Sequence, residues 1–218
     1  MAAPIRPEES LHSPLEYPPM TFEEYLEWEL QQERRHEFYD GLPRAMTGAT
    51  VRHNTIAGNI HTALRTATRR TGCRAHISDV QVRTPNGRGY YPDVVVSCGP
   101  FAQGDTHART PCLIVEVTSK STRGADFGRK RVDYKTIPSL RAYIVAEQTE
   151  RRLHVHVRLD DGTWDEWEAG DAAGVAEVAP PCVEGVLTLD EVYADTGVLP
   201  PPDLRAYSPP PADDEESA

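Results

Sequence analysis

The sequence predicts an α/β domain of the α+β kind, with a mixed central β-sheet flanked by helices. Three observations carry that prediction. Residues 90–96 and 111–119 are short apolar runs rich in Val and Ile and bounded by turn formers, as buried strands are. The segment 51–71 instead places Ile56, Ile60, Ala63, Leu64 and Ala67 at a helical period, which suits a helix lying on a sheet. The predicted order of helix, hairpin, helix, strands, helix and strand belongs to a layered α/β architecture.

Taken in order, residues 1–20 hold five prolines and little periodicity, and read as a loose arm before a single domain over 21–197. Thr21 and Glu24 form a capping box that starts a helix, with Phe22, Tyr25, Leu26 and Leu30 as its apolar stripe. Residues 36–46 predict a hairpin turning at Asp40-Gly41. Ile77, Val80 and Val82 predict one strand over 73–83, ended by the turn from Pro85 to Gly89. A helix begins near Ala125, strands are expected over 139–146, 151–158 and 162–168, and Thr188 with Glu191 caps a last short helix. Residues 198–218 read as a disordered proline-rich and acidic tail.

The net charge of −11 argues against a nucleic-acid partner until it is mapped along the chain. Residues 37–160 hold 19 Lys and Arg against 11 Asp and Glu, which leaves 4 against 23 in the flanks. The acid lies in the extensions, and the core is basic enough to attract phosphates. Arg65, Arg69, Arg70 and Arg74 contribute to that balance, although taken alone they read first as a solvated helix face. No apolar run is long enough to cross a bilayer, and the first residues lack the features of a signal peptide, so a cytoplasmic protein is expected. Cys73, Cys98, Cys112 and Cys182 lack the close pairing of a zinc or redox motif and read as ordinary buried thiols.

The chemistry sits in the two predicted strands. Each carries a single acid, Asp93 in one and Glu116 in the other. Removing a lone charge from water costs several kcal/mol, so a buried acid is paired, protonated or bound to a cation. Two neighbouring strands that each present a carboxylate make a hard-oxygen pocket suited to Mg²⁺ or Mn²⁺, with the Val117 carbonyl as a further ligand. Asp126, Lys130 and Tyr134 recur at four-residue spacing on one helix face.

Pro92-Asp93, the run from Glu116 through Ser121, and the run from Asp126 through Tyr134 resemble the Uma2 family, a branch of the PD-(D/E)XK nuclease superfamily. The resemblance covers roughly residues 21–157 and implies a restriction-endonuclease-like fold. The superfamily pattern places a lysine two residues after the glutamate, where this chain has Thr118. In the Uma2 branch the lysine sits on the following helix, which assigns the role to Lys130 ahead of the loop residue Lys120. The resemblance also implies Glu37 as a third carboxylate and His53 as a residue lining the site. Gln81 and Tyr134 are further candidates for substrate contact, with an edge-strand amide the competing explanation for Gln81.

The expected activity is metal-dependent hydrolysis of phosphodiester bonds by an endonuclease acting on DNA, with Asp93, Glu116 and Lys130 catalytic and Mg²⁺ or Mn²⁺ as cofactor. Cutting both strands of a duplex needs two sites, for which a homodimer is one arrangement. The alternative is a nuclease-fold module that binds nucleic acid or protein without turnover. A glycosidase using two carboxylates would need sugar-stacking aromatics between them, and Trp164 and Trp167 come too late in the chain to supply these.

Overall fold

The computed structural model describes residues 17–119 and 122–200. The greater part of the predicted arm and tail, and Lys120, lie outside the described residues. The fold is mixed α/β, with a six-stranded sheet, a four-stranded sheet, a two-stranded ribbon near the C-terminal end of the described residues, and helices that pack on them.

Helix α1 (Phe22–Glu29) starts where the capping box places it, with the Thr21 hydroxyl accepting from the Glu24 amide and the Glu24 carboxylate accepting from the Thr21 amide. Its inward face carries Tyr25 and, against expectation, Glu29, while Leu30 is exposed. Strands β1 (His36–Tyr39) and β2 (Leu42–Ala45) form a hairpin in which Asp40 and Gly41 both have positive φ, 55° and 73°. A two-residue turn of that kind matches the twist of its strands, which is why Asp-Gly announces it in the sequence. Helix α2 (Val51–Ala67) follows, with the Thr50 hydroxyl capping the His53 amide.

The region 73–96 departs from the predicted two strands. The chain forms β3 (Cys73–Ile77), β4 (Val82–Thr84), β5 (Arg88–Tyr90) and β6 (Val94–Cys98). Strands β4 and β5 join the hairpin in a four-stranded sheet of order β2-β1-β5-β4, whereas β3 and β6 belong to the large sheet. The chain leaves β3 through Ser78, at φ 58°, and returns through Tyr91-Pro92. Proline has no N–H for a ladder, so it marks a change of sheet better than the middle of a strand. Asp93 accordingly lies in the crossing segment, just before β6.

Strand β7 (Pro111–Val117) is buried along its whole length. After it come a short α3 (Arg123–Ala125), a π-helical turn (Asp126–Lys130) and α4 (Arg131–Lys135), which together occupy the single helix expected there. Strands β8 (Ala142–Ala146), β9 (Arg152–Arg158) and β10 (Trp164–Gly170) complete a six-stranded sheet of order β10-β9-β8-β7-β6-β3. Only the central β7–β8 pair is parallel; the other neighbours are antiparallel. The C-terminal segment adds β11 (Glu177–Val178), β12 (Leu187–Thr188) and α5 (Leu189–Val192).

Two apolar clusters hold the layers together. On one face Ile56, Ile60 and Leu64 of α2 meet Val94, Val96, Leu113, Val115 and Val117. On the other, Ile114, Val95, Tyr143 and Val145 meet Tyr134, Ile137 and Leu140. Strand alternation therefore sends Val115 and Val117 toward α2 and leaves Glu116 facing the helix that carries Lys130 and Tyr134.

The cysteines correct the expectation of free thiols: Cys73 is bonded to Cys98, and Cys112 to Cys182. The β3–β6 register sets Cys73 directly opposite Cys98, and Cys182 arrives from the C-terminal segment. Neither approach can be deduced from spacing in the sequence.

Candidate active site

Glu116 is the centre of a buried ionic cluster. Its Oε1 accepts hydrogen bonds from Lys130 Nζ at 3.0 Å and from Tyr134 OH at 2.9 Å. Lys130 Nζ also lies 2.8 Å from Glu37 Oε1 and 3.7 Å from Asp126 Oδ1. Glu37 comes from β1 in the small sheet, so the ammonium ties the two sheets together. The π-helical turn sets Asp126 and Lys130 side by side and directs Lys130 and Tyr134 to one carboxylate oxygen. Such turns recur at functional sites because they displace side chains from regular helical register.

Asp93 reaches the same region from the crossing between sheets. Its Oδ2 accepts from the Val117 amide at 2.7 Å and lies 3.3 Å from His53 Nε2. His53 is placed by the capped start of α2 and is nearly buried.

Crowding governs the electrostatics. Burial raises the Glu116 carboxyl well above its ordinary range; the Lys130 charge opposes this, while Asp126, Asp93 and Glu37 reinforce it. Asp126 is pushed up to about 6, first by burial, and among the described residues neither of its oxygens has a hydrogen-bond partner. Burial works against the Lys130 ammonium, but Glu116, Glu37 and Asp126 more than offset it and keep the lysine charged. For His53, burial lowers proton affinity; the hydrogen bond and charge of Asp93, with the Val117 backbone, outweigh it and leave the imidazole raised. Four carboxyl groups thus face one ammonium and one imidazole.

The position two residues after Glu116 is closed to other chemistry. The buried Thr118 hydroxyl donates to Glu147 Oε2 at 2.9 Å and accepts from the Gln148 amide at 3.2 Å. Glu147 also binds Arg123 and, at 3.0 Å, His154 Nε2. Burial raises the Glu147 carboxyl, but the hydrogen bonds from Arg123, Thr118 and His154 prevail and hold it below its usual value.

The fold is shared with a crystal structure titled as that of a "putative nuclease belonging to DUF820" from Anabaena variabilis, with a TM-score of 0.63 over 80% of this chain and 98% of that one, at 14% identity. The Uma2 family model, described as "Putative restriction endonuclease", matches residues 22–190. The chain belongs to the Uma2 family. Two Synechocystis proteins, the uncharacterized slr1290 and sll1609, are 35% and 31% identical to it. The first comparison spans 70% of this chain and 82% of its relative; the second spans 66% and 84%.

Within this Uma2 protein, Asp93, Glu116, Lys130, Tyr134, Glu37 and His53 converge as the sequence suggested. Gln81 does not: its amide donates to Tyr25 OH at 2.8 Å and Tyr91 OH at 3.3 Å and accepts from Arg83, which makes it a buried structural group. Lys120 lies outside the described residues. Asp126 was legible only as an i,i+4 partner of Lys130, and Glu147 only as the start of a turn. The signal for Glu147 was its place immediately after an apolar strand parallel to β7, since ligands gather at the carboxyl ends of parallel strands.

Asp93, Glu116, Glu37 and the Val117 carbonyl present oxygen donors, the kind that a hard divalent cation takes. Their spacing is set by the two basic side chains. Among the described residues, no three Asp, Glu or His groups of this site bring ligand atoms within 4.8 Å of one another. Glu37 or Glu116 must turn from Lys130 before three carboxylates can close on one ion.

No helix among the described residues is long and apolar enough to cross a membrane.

Proposed function

We propose that this protein is a metal-dependent endonuclease that hydrolyses phosphodiester bonds in DNA. The observation that carries the reading is the buried lysine held between buried Glu116 and part-buried Glu37 on different sheets, beside a third acid fixed to the β7 backbone. Mg²⁺ or Mn²⁺ would be held by Asp93, Glu116 and the Val117 carbonyl, with Glu37 completing the set. The ion would supply a hydroxide near neutral pH and Lewis-acid stabilisation of charge on phosphorus.

The chain's own groups do the positioning. Lys130 neutralises charge developing on the phosphoryl oxygens and orients the attacking water, and Tyr134 fixes the Glu116 carboxylate by its hydrogen bond. His53 holds Asp93 in place. In the net reaction a water oxygen bonds to phosphorus as one phosphorus–sugar oxygen bond breaks, and the departing oxygen takes a proton.

Binding of the nucleic-acid backbone falls to arginines at the rim. Arg44 and Arg129 both lie against the Tyr39 ring, with guanidinium carbons 4.7 and 3.5 Å from its centroid. Neither forms an ion pair among the described residues, and each is close to Glu37 or Lys130 in the chain or the sheet: Arg44 stands opposite Glu37 in the hairpin register, and Arg129 precedes Lys130. Unpaired guanidinium groups beside an acidic centre suit phosphates that must be drawn in without contacting the carboxylates.

A module that binds nucleic acid without turnover is the second reading, favoured by the engagement of Glu37 and Glu116 with Lys130. Calorimetric titration of Mg²⁺ and Mn²⁺ into wild type, Asp93→Ala and Glu116→Ala separates the two when cleavage of plasmid and single-stranded DNA is scored alongside. The nuclease requires metal binding and cleavage in wild type, both lost in the variants. Nucleic-acid binding with neither metal uptake nor cleavage would leave the second reading standing.

A further inference from the structure

The four cysteines form one sulfur cluster rather than two separate staples. Cys98 Sγ lies 3.4 Å from Cys112 Sγ, so the two disulfides are in direct contact. The ligand atoms of Cys73, Cys98 and Cys112 all fall within 4.8 Å of one another, and Cys182 is bonded to Cys112. Three of the four thiols stand on adjacent strands, β3, β6 and β7, whose backbone ladder fixes their positions whether or not the sulfurs are bonded to each other. The fourth enters on the turn-rich segment before β12, where Gly185 at φ 134° relaxes the backbone. Cys112 belongs to the apolar cluster under α2, and Cys73, Cys98 and Cys182 pack against it partly buried.

We propose that the reduced protein binds one Zn²⁺ through Cys73, Cys98, Cys112 and Cys182. Tetrahedral zinc with bonds of about 2.3 Å to sulfur holds its ligands roughly 3.8 Å apart. The contact between Cys98 and Cys112 is already close to that spacing; the two bonded pairs, Cys73 with Cys98 and Cys112 with Cys182, must each open to it by side-chain rotation, and the Cys182 segment must follow. The balance is simple. Two equivalents of a dithiol reduce both disulfides, supplying four electrons and four protons and leaving as two cyclic disulfides. Zinc then displaces four protons from the thiols. A soft sulfur site of this kind is chemically distinct from the hard-oxygen set around Glu116. It would clamp three strands and the C-terminal segment in a reducing environment, where the disulfides could not persist.

The test uses the full chain, reduced under anaerobic conditions, with Co²⁺ as the spectroscopic probe. One sulfur-bound Co²⁺ per chain is expected, whatever the hard-oxygen site takes up, with the intense sulfur-to-metal charge-transfer and visible bands of a tetrahedral tetrathiolate, these erased by equimolar Zn²⁺. Asp93→Ala should leave these bands unchanged, whereas Cys98→Ser and Cys182→Ser should each abolish the tetrathiolate spectrum. Absence of the bands from reduced wild type overturns the proposal, as does their survival in the Cys98→Ser, Cys182→Ser double variant. Should a serine variant fail to fold, thermal unfolding of reduced wild type decides alone: Zn²⁺ must raise its Tm, and no rise overturns the site.

Discussion

Two buried polar clusters in this molecule are built from similar residues and differ in how their atoms are satisfied. Beneath α1, Glu29 Oε1 accepts from the His36 amide and Tyr91 OH, both at 3.0 Å, and Oε2 meets His36 Nδ1 at 3.0 Å. Tyr25 OH donates to the His36 carbonyl and accepts from Gln81, so the network is closed. Around Glu116 the accounts stay open. The Asp126 carboxyl oxygens have no hydrogen-bond partner among the described residues, carboxyl groups outnumber cations, and proton affinities are displaced. A closed network rigidifies a core, whereas an open one retains unused capacity for a ligand. Burial of an acid therefore does not by itself mark a functional site; what matters is whether its neighbours have already spent its lone pairs.

The sharpest way to break this contrast is to neutralise one acid in each cluster. Glu116→Gln should slow DNA cleavage by at least about a thousandfold, equivalent to about 4 kcal/mol in the barrier, without lowering Tm. A large fall in Tm would make Glu116 structural and erase the distinction. Glu29→Ala should do the reverse, costing about 2–4 kcal/mol in urea unfolding because three donors lose their acceptor, while activity per folded molecule is kept. Loss of activity in well-folded Glu29→Ala would show that the closed network also serves catalysis.

Acidity sharpens the contrast further. Asp126 has its folded pKa raised to about 6 from 3.8, so the native state binds more protons than the unfolded chain between those values. Stability from this group is greatest below about 4 and is lost as pH rises through about 6. Asp126→Asn should remove that fall and stabilise the protein at pH 7 by up to about 3 kcal/mol, read from unfolding midpoints across pH. An unchanged pH profile would mean that Asp126 is not crowded as the geometry implies. The smallest effect belongs to the rim. Arg44→Gln should weaken DNA binding at low salt and reduce the slope of log affinity against log salt by about 1, as loss of one phosphate contact requires. A slope equal to that of wild type would move the backbone contact elsewhere.

The sequence announced what local chemistry dictates. The capping box at Thr21, the Asp40-Gly41 turn and the period of α2 are short-range signals, and each appears where it was expected. Strand alternation also placed Glu116 opposite Val115 and Val117. Long-range choices were not legible. Nothing near Ser78 or Pro92 said that the chain would alternate between two sheets, because a one-segment apolar pattern does not record which partner it pairs with. Gln81 read as a substrate contact or an edge-strand amide, and its burial against Tyr25 of α1 is a long-range contact that no local pattern records. The cysteine pairing likewise depends on strand register and on a segment 70 residues away in the chain. Lys130 needed more than periodicity, since an i,i+4 pair with Asp126 has a mundane explanation until Glu37 and Glu116 are seen to meet it.

The ammonium bridge between the two sheets has a consequence for the cell that makes this protein. Glu37 is synthesised early and Lys130 much later, and neither has its partner until both have left the ribosome. A nascent or prematurely terminated chain therefore carries no assembled centre, however well its first helix and hairpin fold. For a nuclease of the proposed kind, that order would keep the centre unassembled until the chain past Lys130 has been made.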